Sequence, residues 1–502
     1  MGVTNTLQPV ISGADSHRPT VRVWTLVSLI IGSTIGTGIF ALPQNAGSVA
    51  GPGAMLIGWA IAGVGMLSIA FVFQILAVRK PHLDSGVYSY VRAGLGDFVG
   101  FASAWGYWLG SVIAQVGYAT LFFSTIGHYV PIFDEQHRWI QAVAVSVMTW
   151  AIYFALTRGI RQAAALNMVT TVAKLLPIAA FIVLVAFIGF SWDTFTLDFW
   201  AREGSVGSTM DQIKGIMLFT VWAFIGVEGA SVYSKQARTR ADVGKATVFG
   251  FFTVLALLVT VATLSYGVLT QEELAALPDN SMASVLEAVV GPWGAALISL
   301  GLCLSVLGAY VSWQMLCAEP IALMAVDGLL PRKLGAVNDQ GAAVWAQLVS
   351  TVVIQISVII FFVNETTYVS MVQLATMMYM LPYVFSSIYL LLLTTRGRGV
   401  AHPQAGIRFD DSGPVISAKN NATHRLVAVI ATVYSLWLFY AADVTYVLFG
   451  ALLVIPGLVP YVWTRVKTGD RVFNPVEWVI VLLVLLGGAI AIYGLSTGSL
   501  SL

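Results

Sequence analysis

From residue 24 onward the chain repeats one pattern, an apolar stretch followed by a short polar connection. A helix crossing the hydrocarbon of a bilayer needs about 20 mostly apolar residues. Thirteen stretches meet or approach that length: 24–47, 54–77, 99–126, 139–157, 164–190, 212–234, 247–269, 293–324, 345–363, 367–394, 426–442, 446–464 and 476–497. The eleventh and twelfth are short and divide at Asp443. The pattern predicts an all-α polytopic membrane protein of about 13 transmembrane helices. Residues 1–20 are polar and the first apolar run is long, which reads as a tail and a span rather than a cleavable signal peptide.

Composition agrees. Of 502 residues, 58% are hydrophobic and 10% charged, with a mean hydropathy of +0.84, whereas a soluble protein carries about 25% charged residues. A net charge of +1 leaves nucleic-acid-binding and disordered classes without support. Cys303 and Cys317 share one apolar stretch and form no disulfide framework.

Basic residues collect on the cytoplasmic side of a membrane protein. With the N-terminus in the cytoplasm, 21 of the 25 Lys and Arg fall inside. Arg138 and Arg202 fall outside, and Lys174 and Lys214 lie within spans. This predicts a multi-pass protein of the cytoplasmic membrane, N-terminus cytoplasmic and C-terminus outside. The same topology puts 12 acids outside, 10 inside and two within spans, so the outer face is net −10. Either that charge steers a cationic solute to the outer mouth, or it keeps short loops soluble.

No Walker loop, HExxH or CxxC is present, and the histidines lack metal-ligand spacing. The expectation is therefore not an enzyme, with no cofactor, no metal and no nucleic-acid partner. The Asn-x-Thr triplets at Asn364 and Asn421 are chance-level, and the inside loop at 396–425 is too short for a domain.

Two spans read as broken. Span 1 holds Gly32-Ser33-Thr34-Ile35-Gly36-Thr37-Gly38-Ile39-Phe40. Glycine weakens helix by up to about 1 kcal/mol relative to Ala, and unwound backbone is tolerated in lipid only where it is buried or lines a wet cavity. An interruption here exposes a helix N-terminus near Gly36 to Gly38, a site suited to a carboxylate. Gly32 and Gly36 also make a GxxxG pair that would serve close helix packing. Span 6 holds Trp222-Ala223-Phe224-Ile225-Gly226-Val227-Glu228-Gly229. A carboxylate between glycines at mid-membrane depth costs several kcal/mol on most scales, roughly, and normally faces a partner or a substrate path. Spans 1 and 6 correspond in two five-span halves, and matched interruptions point to a transporter binding site.

Four ionisable residues lie in spans: Lys174, Lys214, Glu228 and Glu319. Lys214 begins span 6 and reads as snorkelling. Glu319 precedes Pro320 late in span 8, where it caps or gates the inner end. Lys174 either loads a proton during a cycle or braces the unwound spans.

The Gly-Ser-x-x-Gly-x-Gly-Ile-Phe run of span 1 and Phe224-Ile225-Gly226-Val227-Glu228 resemble the amino acid–polyamine–organocation superfamily. Within it, the chain is similar to the basic amino acid/polyamine antiporters, especially the L-lysine permeases of actinobacteria. That similarity rests on Pro81-His82-Leu83-Asp84-Ser85-Gly86-Val87-Tyr88, Trp105-Gly106-Tyr107-Trp108-Leu109-Gly110, Asn280-Ser281-Met282-Ala283-Ser284, Trp313-Gln314-Met315-Leu316-Cys317-Ala318-Glu319-Pro320 and Phe409-Asp410-Asp411-Ser412-Gly413-Pro414.

The resemblance implies a five-plus-five inverted repeat. It divides the chain into a cytoplasmic tail (1–22), a ten-helix transport core (23–394), a cytoplasmic loop (395–425), accessory helices 11 and 12 (426–464), a second loop (465–475) and a thirteenth helix with an outer C-terminus (476–502). The thirteenth helix departs from the superfamily's common twelve. Thr34, Gly36, Thr37 and Gly38 fall where the family binds the substrate carboxylate. Trp222 and Ile225 fall where backbone carbonyls take the α-ammonium. Trp222 and Trp313 match gating or stacking tryptophans, Glu228 a gating carboxylate, and Lys174 the lysine that stands at an ion site of sodium-coupled relatives. Ser111 replaces an asparagine of the arginine exchangers. Ser111, Gln115 and Gln373 are polar residues on apolar spans; they form a pocket for an ε-ammonium, or hydrogen bonds between helices. The implied function is L-lysine transport by alternating access, in exchange for another amino acid or with proton coupling. An arginine/ornithine exchanger is the alternative. The implied partners are L-lysine, a counter-substrate amino acid or a proton, membrane lipid and a homodimer.

Overall fold

The computed structural model describes residues 23–83, 87–158, 163–202, 206–227, 240–364, 366–397, 399–402, 406–407 and 414–500. The helices of the first half are α1 (Val23–Thr34), α2 (Leu42–Gly47), α3 (Pro52–Arg79), α4 (Ser89–Leu95), α5 (Asp97–Gly127), α6 (Arg138–Thr157), α7 (Ala163–Leu184), α8 (Trp192–Thr196) and α9 (Thr209–Phe224). Those of the second half are α10 (Arg240–Tyr266), α11 (Gln271–Ala275), α12 (Ser281–Val290), α13 (Pro292–Val326), α14 (Val344–Val363), α15 (Tyr368–Thr395), α16 (Ala418–Ala441), α17 (Val444–Thr468) and α18 (Pro475–Thr497). Two strands of two residues, Ala401–His402 and Gly406–Ile407, pair antiparallel in the loop after α15, and Val400 bridges Ile416; the other regular elements among the described residues are helices.

Each of the thirteen apolar stretches contains helix among the described residues. Ten described helices are long and apolar enough to cross a membrane. The remaining three stretches are those of α1–α2, α7 and α9. The first is split between Thr34 and Leu42, and α9 stops at Phe224. α7 continues into a wide turn at Val185–Gly189, closed by Phe190 N–H on the Val185 carbonyl at 2.8 Å. The short helices α4, α8, α11 and α12 lie in connections, where a window tuned to long apolar runs does not register them.

Helix ends follow local chemistry. Ser208 and Asp211 form a capping box on α9, and Asn474 and Glu477 form one on α18. Asp443 accepts from Thr445 N–H at 2.7 Å and starts α17, which sets the boundary with α16. Pro52, Pro292 and Pro475 occupy first turns, where a missing N–H costs nothing.

α5 is the axis of the bundle. It packs on α13 and α15, α13 packs on α7, α1 on α10 and α3 on α9. Gly106 and Gly110 allow the approach of α15, because a Cβ at either would sit 3.0–3.1 Å from the Met378 or Ala375 carbonyl. α16 covers α3 and α15, α14 lies on α6, and α17 pairs with α18.

The two ends of the bundle differ in charge. One end is basic: Lys80, His82 and Arg396 line a cleft there, and Arg92 lies between Asp97 at 2.8 Å and Asp327 at 2.7 Å, with Arg465 on Asp97 at 3.2 Å. These partly exposed pairs are worth about 1 kcal/mol or less each. The thirteenth predicted helix is tied in at this end. Glu477, 5% exposed, accepts from Phe98 N–H at 3.1 Å and Asn474 N–H at 2.7 Å. Asn421 is likewise structural: it accepts from Arg79 at 2.9 Å and donates to the Thr394 carbonyl at 3.0 Å.

Candidate substrate site

The two interrupted helices meet at the centre. α1 makes its last helical bond from Ile35 N–H to the Ile31 carbonyl at 2.9 Å, and the next turn closes only at Phe40 N–H on Thr37. The N–H groups of Gly36, Thr37 and Gly38 between them have no acceptor among the described residues. α9 ends as Ile225 N–H turns onto the Trp222 carbonyl at 3.3 Å, and Gly226 follows at φ +105°. Ser33 reaches across and donates to the Gly226 carbonyl at 3.3 Å. A Cβ on Gly226 would lie 2.6 Å from the Ser33 carbonyl oxygen, so the contact needs glycine.

Aromatic side chains close over the break. Trp222 and Tyr118 lie 5.8 Å apart between ring centres, and the Gly38 Cα faces Trp222 so closely that a Cβ would meet it at 3.0 Å. Tyr368, from α15, donates to Thr37 Oγ1 at 3.3 Å. Thr34 donates back into its own helix, to the Ile30 carbonyl at 2.8 Å. Thr34 through Ile39, Tyr118, Trp222, Ala223 and Ile225 line a cavity of about 10 Å³, on the order of one water molecule. This one cavity is smaller than an amino acid.

Residues 21–405 match the family model described as amino acid permease. The chain belongs to the amino acid permease family. Among its relatives, it is 68% identical over 490 residues to the L-lysine transport protein of Corynebacterium glutamicum, covering 98% of each chain. It is 45% identical to the arginine/ornithine antiporter of Pseudomonas aeruginosa, over 96% of this chain and 98% of that one. It is 33% identical to the arginine/agmatine antiporter of Chlamydia caviae, over 95% and 97%. The protein is thus a multi-span membrane amino acid transporter, not an enzyme.

In this permease the predicted residues divide into groups. Thr34, Gly36, Thr37, Gly38, Trp222 and Ile225 share the central cavity. Lys174, 3% exposed, sits behind it, donating to the Gly32 carbonyl at 2.7 Å and also to the Ile35 carbonyl. Its partners are carbonyls released where α1 unwinds, the arrangement of a brace. The Trp222 carbonyl already accepts the Ile225 N–H, which leaves the Ile225 carbonyl as the less encumbered acceptor among the described residues.

A second cluster lies further along α5. Ser111 Oγ and Tyr379 OH are 2.8 Å apart, and Ser111 also donates to the Tyr107 carbonyl. Trp313 stands edge-on to Tyr379 at 6.1 Å. Gln115, one turn beyond Ser111, donates to the Tyr310 carbonyl at 3.0 Å and leaves its Oε1 buried without a partner among the described residues. Gln373 is not in this cluster. It shares a face of α15 with Met377 one turn on, and Met377 packs on Gly450 of α17, away from α5. The sequence pattern showed a polar residue on an apolar helix but not which side it faces.

Lys214 lies over the Tyr440 ring at 4.3 Å and bonds its hydroxyl at 3.1 Å, at the rim of the bundle. Glu319 is exposed in the last part of α13, on the face that higher up sets Gly301 against Pro177 of α7. Glu228 lies outside the described residues. Sequence reasoning missed Tyr118, Tyr368 and Tyr379. A signal existed: Tyr118 follows Ser111 and Gln115 at helical spacing, so the three share one face.

Proposed function

We propose that this amino acid permease moves L-lysine across the cytoplasmic membrane by alternating access, exchanging it for a second amino acid. The observation that carries the reading is the pair of apposed helix ends. Backbone N–H groups at Gly36 to Gly38 suit the substrate carboxylate, and the backbone released beyond Trp222 suits the α-ammonium. Tyr118 and Trp222 give a cationic side chain an aromatic wall. Lysine as the cargo is supported by the 68% identical relative, whose name is L-lysine transport protein.

The basic end of the bundle is the cytoplasmic one in this reading, and residues 23–394 are the transport core. Exchange is favoured over proton coupling because Lys174 is engaged by two backbone carbonyls. Glu228 and Glu319 are read as gating carboxylates on the inner path.

The test is uptake of labelled lysine into proteoliposomes that are empty, lysine-filled or filled with a neutral amino acid. Uptake only into amino-acid-filled vesicles is expected. Uptake into empty vesicles under an imposed pH gradient would replace exchange with proton coupling. Stronger competition by arginine than by unlabelled lysine would favour the arginine/ornithine reading, to which the Pseudomonas aeruginosa relative lends its name.

A further inference from the structure

Two threonines line the central cavity, and they use their hydroxyls differently. Thr34 ends α1 and spends its proton on the Ile30 carbonyl at 2.8 Å. Thr37 lies past the end of α1, and its hydroxyl donates to nothing among the described residues. It accepts instead, from the Tyr368 hydroxyl at 3.3 Å. A hydroxyl has one proton and two acceptor positions, so Thr37 keeps its donor while Tyr368 fills a lone pair.

Tyr368 is held firmly in place. It is the first residue of α15, whose start is fixed by Thr367 accepting from Ser370 N–H at 3.1 Å. It is 2% exposed, and its ring lies over Gly117 of α5, where a Cβ would meet it at 3.7 Å. Trp222, whose indole N–H can only donate, is the hydroxyl's other side-chain hydrogen-bond partner. One phenol on α15 thus joins the break of α1, 331 positions away, to the end of α9. Phenylalanine would fill the same space, so what tyrosine adds is the hydroxyl and what it holds.

The segment it holds is the one with unspent donors. The N–H groups of Gly36, Thr37 and Gly38 have no acceptor among the described residues. With glycine on both sides the backbone at Thr37 turns easily, and the bond from Tyr368 is the side-chain hydrogen bond that restrains it. A hydroxyl that accepts a hydrogen bond is also a better donor.

We propose that Tyr368 is a positioning residue for the substrate carboxylate. It acts through Thr37, being itself outside the cavity lining. Its hydrogen bond sets the unwound segment so that the backbone N–H groups and the Thr37 hydroxyl serve one anion. The inference rests on the reading that a carboxylate binds at the break of α1.

Uptake of labelled lysine into amino-acid-filled proteoliposomes tests it, with 1,5-diaminopentane as competitor. That diamine is lysine without its carboxylate and keeps both ammonium groups. In Tyr368→Phe the KM for lysine should rise about three- to tenfold, the size of one hydrogen bond, while kcat and the inhibition constant of the diamine hold. The ratio of the two constants is independent of how much protein inserts. Thr37→Val should raise KM at least as far, and adding Tyr368→Phe to it should change little more. Where the diamine inhibits too weakly to titrate, the double variant decides. Parallel losses for lysine and the diamine in Tyr368→Phe would make Tyr368 a packing residue and overturn the proposal. So would an unchanged KM, additive losses in the double variant, or a Tyr368→Phe chain that fails to insert where Thr37→Val inserts. A wild-type protein that takes the diamine as tightly as lysine would instead strike the carboxylate reading beneath, and the proposal with it.

Discussion

Lys174 donates to the carbonyl of Gly32 at 2.7 Å, across 142 positions of sequence. Its ammonium stands where the carbonyls of α1 lose their helical partners, and Ile35 supplies the second acceptor. Helix termini leave carbonyl groups that must find donors, and in lipid no water substitutes. One side chain thus keeps the unwound segment of α1 in place against α7.

Replacing Lys174 by Met keeps the apolar stem and removes the donors. The two buried carbonyls then lack partners, at about 1–3 kcal/mol each. Thermal unfolding in detergent should move to lower temperature and lysine uptake should fall. The pH profile of the remaining uptake should match wild type. A profile displaced along the pH axis would instead make Lys174 the proton carrier.

At the end of the bundle opposite the basic one, Asp134 accepts from His137 at 2.7 Å and from the N–H groups of Gln136 and His137 at 3.0 and 3.1 Å. The His137 hydrogen bond, followed by those backbone donors, holds its carboxyl below the usual carboxylate range. A depressed folded-state value contributes stability above the ordinary value, which is lost as pH falls through the lowered one. The melting temperature of wild type should exceed that of Asp134→Asn near neutral pH. The gap should close as pH falls below the ordinary carboxylate value. A gap that persists unchanged in acid would remove the carboxylate from the account.

Sequence pattern was sufficient for the long apolar helices and for the two breaks, though not for the short helices of the connections, because lipid allows only one economical backbone and punishes exceptions. Gly36, Gly38 and Gly226 carried that signal themselves. The partners did not. Lys174 is satisfied by carbonyls, which every residue has, so nothing in the sequence marks Gly32 and Ile35 as its acceptors. Tyr118, Tyr368 and Tyr379 pass as apolar bulk in a hydropathy window, although their hydroxyls and rings shape the site. Gln373 shows the converse: polarity singled it out, but only helical phase relative to Tyr368 and Tyr379 tells which way it points.

Tyr379 is the residue through which Ser111 and Trp313 meet. Tyr379→Phe keeps the ring against Trp313 and removes the hydroxyl from Ser111. A hydrogen bond between membrane helices averages about 0.6 kcal/mol, and Ser111 keeps the Tyr107 carbonyl as acceptor, so stability should change little. If the cluster contacts the substrate side chain, the ratio of kcat/KM for lysine over arginine should shift by a few fold. An unchanged ratio would restrict the cluster to packing α5 on α15.

Gly226 offers the sharpest test of the helix junction. It lies at φ +105°, and its Cα faces the Ser33 carbonyl closely enough that a Cβ would sit at 2.6 Å. Alanine there meets two penalties, about 1–2 kcal/mol for the left-handed backbone and the displacement of α1 from α9. Gly341, at φ +78° in a loop with nothing near its Cβ position, carries only the first. Gly341→Ala should therefore insert and transport close to wild type. Gly226→Ala should insert but lose most uptake, since the contact it breaks is the one that brings the two helix ends of the proposed site together. Equal uptake by the two variants would show that the Ser33–Gly226 junction is not needed for the transport cycle.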